Sequence, residues 1–539
     1  MSNLAISQLP SSSGLTGTEV LPIVQSGTTV KTTVQDVADL AGGIIAVGAG
    51  TGSTLRVGNC NIANGACSTV AGGSNNVIQE EVGCVALNGV NGNTISGGVD
   101  NTNTASGYYG GNNTIGGGRC NTISGYYAAN NVIGGGLENS IGTTSNYSST
   151  IGGGQFNTAN GSCSTIGGGA NNTSCGSFGT IGGGNNNTSS GNCSTIGGGA
   201  SNFVCNTFST VSGGFTNRAC GVSSTVGGGQ FNTASGINSS IGGGYSNASS
   251  GFYSTVGGGT FNTTSANNAT VGGGRCNTAS GCYSKVGGGM NNTSCGIGST
   301  ISGGRYNISS GCWSTVGGGG GCGVFGNYGN CATGINSTIG GGRNNTASGN
   351  CSSIGGGRQN TASGLNSTIG GGCRNVASGT YHTTVGGGYC NISSGCGSTI
   401  GGGANNTASS YGSTIAGGQR NTSSNQVSTV GGGDQNTASG FYTTVGGGRN
   451  NCASGYASTI SGGRNNIAST NHSGILGGIC NNTSTCNCAM IVGSCITANR
   501  QCTTFVNNLS IMTIPTSSAG LPSGAVWRCT TDNSLRIVP

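Results

Sequence analysis

A fifteen-residue phrase repeats along most of this chain and limits its fold more than any other feature. Between Ser149 and Gly161 it reads Ser-Thr-Ile-Gly-Gly-Gly, two variable residues, then Asn-Thr-Ala-x-Gly, and it starts again at Ser164. The aliphatic member falls at Ile151, Ile166, Ile181, Ile196, Val211, Val226, Ile241 and Val256 and continues in steps of fifteen to Val316. It resumes at Ile339, slips by one residue at Val385 and runs to Ile475. A fixed period of this size marks a solenoid. Three consecutive glycines would dissolve a helix, whereas two or three short strands joined by tight turns suit the phrase. Gly152-Gly153-Gly154 and Gly161 are expected to supply positive φ at the corners. Stacked at about 4.8 Å, roughly twenty coils would form a rod on the order of 100 Å long.

A second column lies six residues after each aliphatic: Asn157, Asn172, Asn187, Asn202, Asn217 and Asn232, and onward to Asn481. Side-chain amides stacked in this way form a hydrogen-bonded ladder; the alternative is that Asn merely tolerates a turn conformation. Burial bears on assembly. Each coil offers one Ile or Val, one Ala or Ser, and little else that is apolar. A buried aliphatic contributes roughly 1.5–3 kcal/mol, against about 1–2 kcal/mol of backbone entropy for each ordered residue. The expectation is therefore that several chains, three of them, seal a shared aliphatic stripe. The fold class expected is all-β: a parallel β-roll or β-solenoid of 15-residue coils in a trimeric fibre, with small non-repetitive N- and C-terminal segments.

Phrases such as Gly152-Gly-Gly-Gln-Phe-Asn-Thr-Ala and Ser239-Ser-Ile-Gly-Gly-Gly resemble the head-domain repeats of trimeric autotransporter adhesins, over about two thirds of the chain. The resemblance implies a left-handed parallel β-roll with three chains side by side. An export signal and a C-terminal membrane-anchor barrel, which that family carries, are not expected here. Met1-Ser-Asn-Leu-Ala-Ile-Ser-Gln-Leu-Pro has neither a basic region nor an apolar run, and no stretch approaches twenty apolar residues.

Four segments are expected. Residues 1–45 form an N-terminal attachment segment, with short strands at Leu21-Pro-Ile-Val-Gln and Thr29-Val-Lys-Thr-Thr-Val and a helical turn over Gln35 to Leu40. Its stretch from Ile6 to Asp36 is similar to the N-terminal segment of tail fibres of tailed phages, which implies particle attachment. Residues 46–150 hold irregular coils with insertions, carried by Val70, Ile95, Ile115 and Ile133. Residues 151–491 form the regular shaft, with one insertion at 317–338 that is either an aromatic-bearing contact loop or a duplication slip. Residues 492–539 form a β cap ending in a hairpin around Thr530 to Asn533, and this tail is similar to terminal segments of phage structural proteins.

Composition excludes an ordinary enzyme domain: Gly is 118 of 539 residues, and only 5% are charged. A net charge of +7 spread over such a length is too thin for a nucleic-acid binder. From 151 to 500 the sole carboxylate is Asp434, so no glycosidase pair can form. His382 and His472 are six coils apart, and the Gly-Gly-Gly runs lack the Lys-Ser/Thr and helix of a phosphate loop. No catalysis, no cofactor and no metal are expected; Cys486-Asn-Cys488 with Cys495 and Cys502 is a weak match to zinc spacing. Of twenty-six cysteines, Cys205 and Cys220 stack on adjacent coils and suit a disulfide; otherwise Cys serves as a small apolar filler.

Binding is the chemistry left open. Arg follows the glycines at Arg275, Arg305, Arg343 and Arg358, among others, as an interrupted stripe that would meet acidic glycans or lipopolysaccharide phosphate, or else serve solubility. Tyr283, Trp313 and other rings precede the next aliphatic, for sugar stacking or corner packing. Asn-Asn-Thr triplets such as 171–173 are glycosylation acceptors only on a secretory route. The expected function is a structural fibre of a virion, like a phage tail fibre, that mediates adhesion to a host surface. Its partners would be itself as a homotrimer, a virion attachment protein at the N-terminus, and a host glycan or protein, with no nucleic acid and no membrane insertion. A cell-surface or extracellular adhesin and an ice-binding solenoid, the latter from the Thr150, Thr165, Thr180 and Thr195 ladder, are the alternatives.

Overall fold

Thr150–Ile151 pairs in parallel with Thr165–Ile166, which pairs with Thr180–Ile181, and so on coil after coil. A second parallel ladder runs beside the first: Thr158–Ala159, Thr173–Ser174, Thr188–Ser189. Between them an isolated bridge column links Gln155, Ala170 and Asn185. The fold is thus an all-β parallel solenoid of about fifteen residues per coil, with no helix among the described residues. The computed structural model describes residues 20–25, 28–33, 45–47, 53–56, 60–79, 92–105, 111–142, 146–323, 326–508, 513–531 and 534–538. The expected helical turn at Gln35 to Leu40 lies outside them.

Two units are distinguished, Met1–Cys295 and Gly296–Pro539. In the first, an antiparallel hairpin pairs Val20–Gln25 with Thr28–Thr33. Ile45–Val47 pairs antiparallel with Thr54–Arg56, and Thr54 then opens the parallel ladder toward Thr69. Val70, Ile95, Ile115, Ile133 and Ile151 follow in register despite their uneven spacing. In the second unit the ladder runs from Ile301 through Val316, Ile339 and Ile354. Later it takes in Ile475, Ile491 and Phe505. A terminal hairpin pairs Val526–Arg528 with Leu535–Ile537.

Four columns fill the interior. Ile151, Asn157 and Ala159 are fully buried, as is Ser149, and so are their counterparts in successive coils. This corrects the expectation of a stripe sealed by several chains: Ile166, Ile181, Ile196, Val211, Val226, Ile241 and Val256 stand at 0% exposure within one chain. The reason is geometric. Strands of two residues separated by glycine corners let a coil close on itself, so a narrow interior needs only one large side chain per turn. The irregular coils use a second, since Ile78, Ile123 and Ile141 occupy the position later taken by Ala159 and are also fully buried.

The glycine corner is a matter of close approach. Gly154 has φ +88, and a Cβ there would run into the carbonyl oxygen of Gly169 on the next coil. Gly161 departs from expectation. It lies outside the left-handed region, as does Gly152, and the left-handed residue of the Gly161 corner is Cys163 at φ 56. Gly161 is required because the backbone of Gly176 passes where its Cβ would stand. A second left-handed position precedes the buried Asn: Phe156, Asn171 and Asn186 have φ of 56 to 58. Asn tolerates this conformation better than most residues, so the two asparagines of Asn171-Asn172 have separate causes.

Candidate functional site

The buried columns are occupied by structural chemistry. Asn172 donates its backbone N–H to Oδ1 of Asn157 at 3.0 Å, and its side-chain amide lies within bonding distance of that same oxygen and of the Gly168 and Gly184 carbonyls. Asn187 repeats all of these contacts, while Asn202 and Asn217 keep the backbone bond and the two glycine carbonyls. A comparable column missed by sequence reading runs through the irregular coils: Asn113 bonds Asn93, Asn131 bonds Asn113, and Ser149 bonds Asn131. Its signal was an Asn two residues before each of Ile95, Ile115 and Ile133.

Serine hydroxyls complete the interior. Where the second ladder and the facing corner both carry Ser, the two hydroxyls meet, as in Ser249 with Ser254 at 2.7 Å and Ser423 with Ser428 at 2.7 Å. Where it carries Ala219, Ala234 or Ala347, the facing hydroxyls of Ser224, Ser239 and Ser352 have no protein partner.

Side chains capable of recognition stand on the outer corners. Tyr283 in the first unit is 58% exposed, and Trp313 in the second is 59% exposed. Trp313 lies against Gly298, whose missing side chain makes room for the indole. Sequence reading passed over a run in the first unit in which Phe215, Phe231, Tyr245 and Phe261 meet edge to face at 5.4 to 5.5 Å. The rings alternate between the bridge position and the left-handed position after it, so no single column of the repeat shows them.

The arginines separate into distinct places. Arg275 is flanked in its bridge column by Thr260 and Met290. Arg305 lies on an exposed corner of the second unit. Arg449 stacks with Arg464 and meets Asp434 at 3.4 Å. Arg343 and Arg358 occupy adjacent coils and share a shallow groove of about 160 Å³ with Arg374. Arg374 escaped the column because it sits one position later, behind Cys373.

The block at 317–338 explains this groove. Asn330 bonds Asn307, 23 residues earlier, and Asn345 bonds Asn330 at the usual 15, so the coil is complete but eight residues longer than its neighbours. The excess is a small hairpin, Cys322–Gly323 with Gly326–Asn327; Phe325 lies outside the described residues. Tyr328 follows the hairpin two residues before Asn330, and its carbonyl accepts the Asn344 N–H at 3.2 Å.

Cys205 and Cys220 are joined by a disulfide with Cα atoms 4.9 Å apart. Cys488 and Cys502 also reach each other, and their hydrogen bond raises the Cys488 pKa. Burial raises that of Cys452. Among the described residues no group of three or more His, Cys, Asp or Glu is placed to hold a metal ion, and no helix is long and apolar enough to cross a membrane. Comparison with known proteins finds no family model and no curated protein that matches this chain.

Proposed function

We propose that this chain is a structural fibre protein of a virion, comparable to a phage tail fibre, whose role is adhesion to a host surface without catalysis. The observation that carries the reading is the division of labour in each coil. Buried positions hold Ile, Val, Asn, Ser and Ala, while Tyr, Trp, Phe and Arg occupy exposed corners in repeating columns. Such a surface offers many copies of weak contacts, and linked weak contacts raise avidity. The resemblance to adhesin head repeats and the phage-like N-terminal stretch agree with that role. A homotrimer would have to assemble through outer corners, because the aliphatic column is already closed. The test is to quantify this chain by mass spectrometry in purified particles and in cell envelopes. Enrichment in envelopes alone would favour the cell-surface adhesin and defeat the virion reading.

One observation favours a second reading, ice binding. Thr150, Thr165, Thr180, Thr195, Thr210 and Thr225 stand in register on one parallel ladder, half-buried to exposed. Thermal hysteresis of the purified protein tests it directly.

A further inference from the structure

Three guanidinium groups from consecutive coils line one groove, and no carboxylate accompanies them. Arg343, Arg358 and Arg374 share it with Tyr328, Asn344 and Gln359. We propose that this groove binds the anionic ester groups, sulfate or phosphate, of an acidic polysaccharide. The proposal rests on the adhesion reading and deepens it by naming a ligand class and a place.

The charge balance is the first argument. Like charges on adjacent coils repel, and a protein that keeps them together usually supplies acids nearby. Here Asp434 is the one carboxylate among the described residues of this unit, and Arg449 holds it. No described carboxylate of this unit is therefore left to neutralise the Arg343 group.

The second argument is preorganisation. Arg374 donates from Nε to Gln359 Oε1 at 3.1 Å and from Nη1 to the Tyr389 hydroxyl at 3.2 Å. Arg343 places its guanidinium carbon 5.2 Å from the centre of the Tyr328 ring, a cation–π contact. Tyr328 is present only because of the eight-residue insertion, so the one large insertion of the regular shaft and a cluster of three arginines meet at one spot. Guanidinium is also the group best suited to a tetrahedral oxyanion, since its planar fork gives paired donors.

Size selects among polyanions. Three coils at the inter-strand spacing cover about 10 Å, the span of a few sugars. A nucleic-acid strand draws its affinity from a longer track of phosphate contacts and stacking platforms, and only Tyr328 adds a ring to this groove.

The test uses the full chain, with dextran sulfate as the probe and unsubstituted dextran and a single-stranded DNA oligonucleotide as comparators. Expected are binding of dextran sulfate, none of dextran, and weaker binding of DNA. The Arg343→Gln/Arg358→Gln/Arg374→Gln variant should lose at least tenfold in affinity and show a shallower salt dependence. Arg449→Gln/Arg464→Gln should stay within twofold of the parent. Arg358→Gln alone, one exposed substitution, serves if the triple variant misfolds and should lose about threefold. Equal losses in both arginine sets, no loss in the groove variants, or tighter binding to DNA would each overturn the proposal. None of those outcomes bears on whether the chain is found in particles, so the two readings fail separately.

Discussion

Asn232 donates its side-chain amide to Oδ1 of Asn217, one coil behind it, at 3.1 Å, and the same amide reaches the carbonyls of Gly228 and Gly244 at 2.9 Å. Its own Oδ1 accepts the Asn247 N–H at 3.0 Å. One side chain thereby ties three coils together and satisfies the carbonyls of the glycine corners. Asn232→Ala should destabilise the first unit by about 3 kcal/mol, because buried groups on both sides lose their partner. Asn232→Asp tests the same bonds with a pH handle. A buried carboxyl without a cation titrates above its unfolded value of about 3.9. The added destabilisation should thus be small below that pH and grow as pH rises through it, measured by denaturant unfolding at pH 3.5 and 7.

The facing hydroxyls allow a gain. Ser239 lacks a protein partner opposite Ala234, whereas Ser254 is bonded by Ser249 in the neighbouring coil at 2.7 Å. Ala234→Ser should supply the missing acceptor and stabilise by about 1 kcal/mol. Ser249→Ala should cost about the same. A rise in melting temperature for the first and a fall for the second is the expected pair of results.

Trp313 and Gly298 form a local lock. Gly298 has φ +64 and a Cβ there would occupy the place of the indole. Gly298→Ala should cost about 1–2 kcal/mol from left-handed backbone strain and displace the ring. In a Trp527→Phe background, which leaves Trp313 as the only tryptophan, its emission should shift.

The disulfide closes a short loop. Cys205 and Cys220 are 15 residues apart, for which chain entropy gives about 3 kcal/mol of stabilisation. Non-reducing peptide mapping should recover the linked pair, and Cys205→Ser should lower stability by up to that amount. Residual coil structure in the unfolded chain would reduce the loss.

The solenoid was legible because period, glycine corners and aliphatic column all agree at the level of single residues. What seals the aliphatics was not. Ile166 beside Ser164 and Asn172 reads as too little apolar surface, and only the closed coil shows that Ser and Asn are themselves interior and hydrogen-bonded. The left-handed positions were hidden because Phe156, Asn171 and Ser201 share a conformation and no chemistry. The groove was half legible: Arg343 and Arg358 fall in a column, but Arg374 sits one step later, and Asn330 and Tyr328 take their places only once the hairpin is removed from the count.

Each coil bonds chiefly to the one before and the one after, and this has a consequence at the level of the gene. Losing or doubling a whole phrase would leave every side chain facing an equivalent neighbour. Even a sixteenth residue, as between Ile369 and Val385, is absorbed at an outer bend with the pairing intact. The number of coils is therefore a quantity that unequal recombination can adjust in small increments, while the groove beside Tyr328, built on one unrepeated excursion, would be inherited as a single copy.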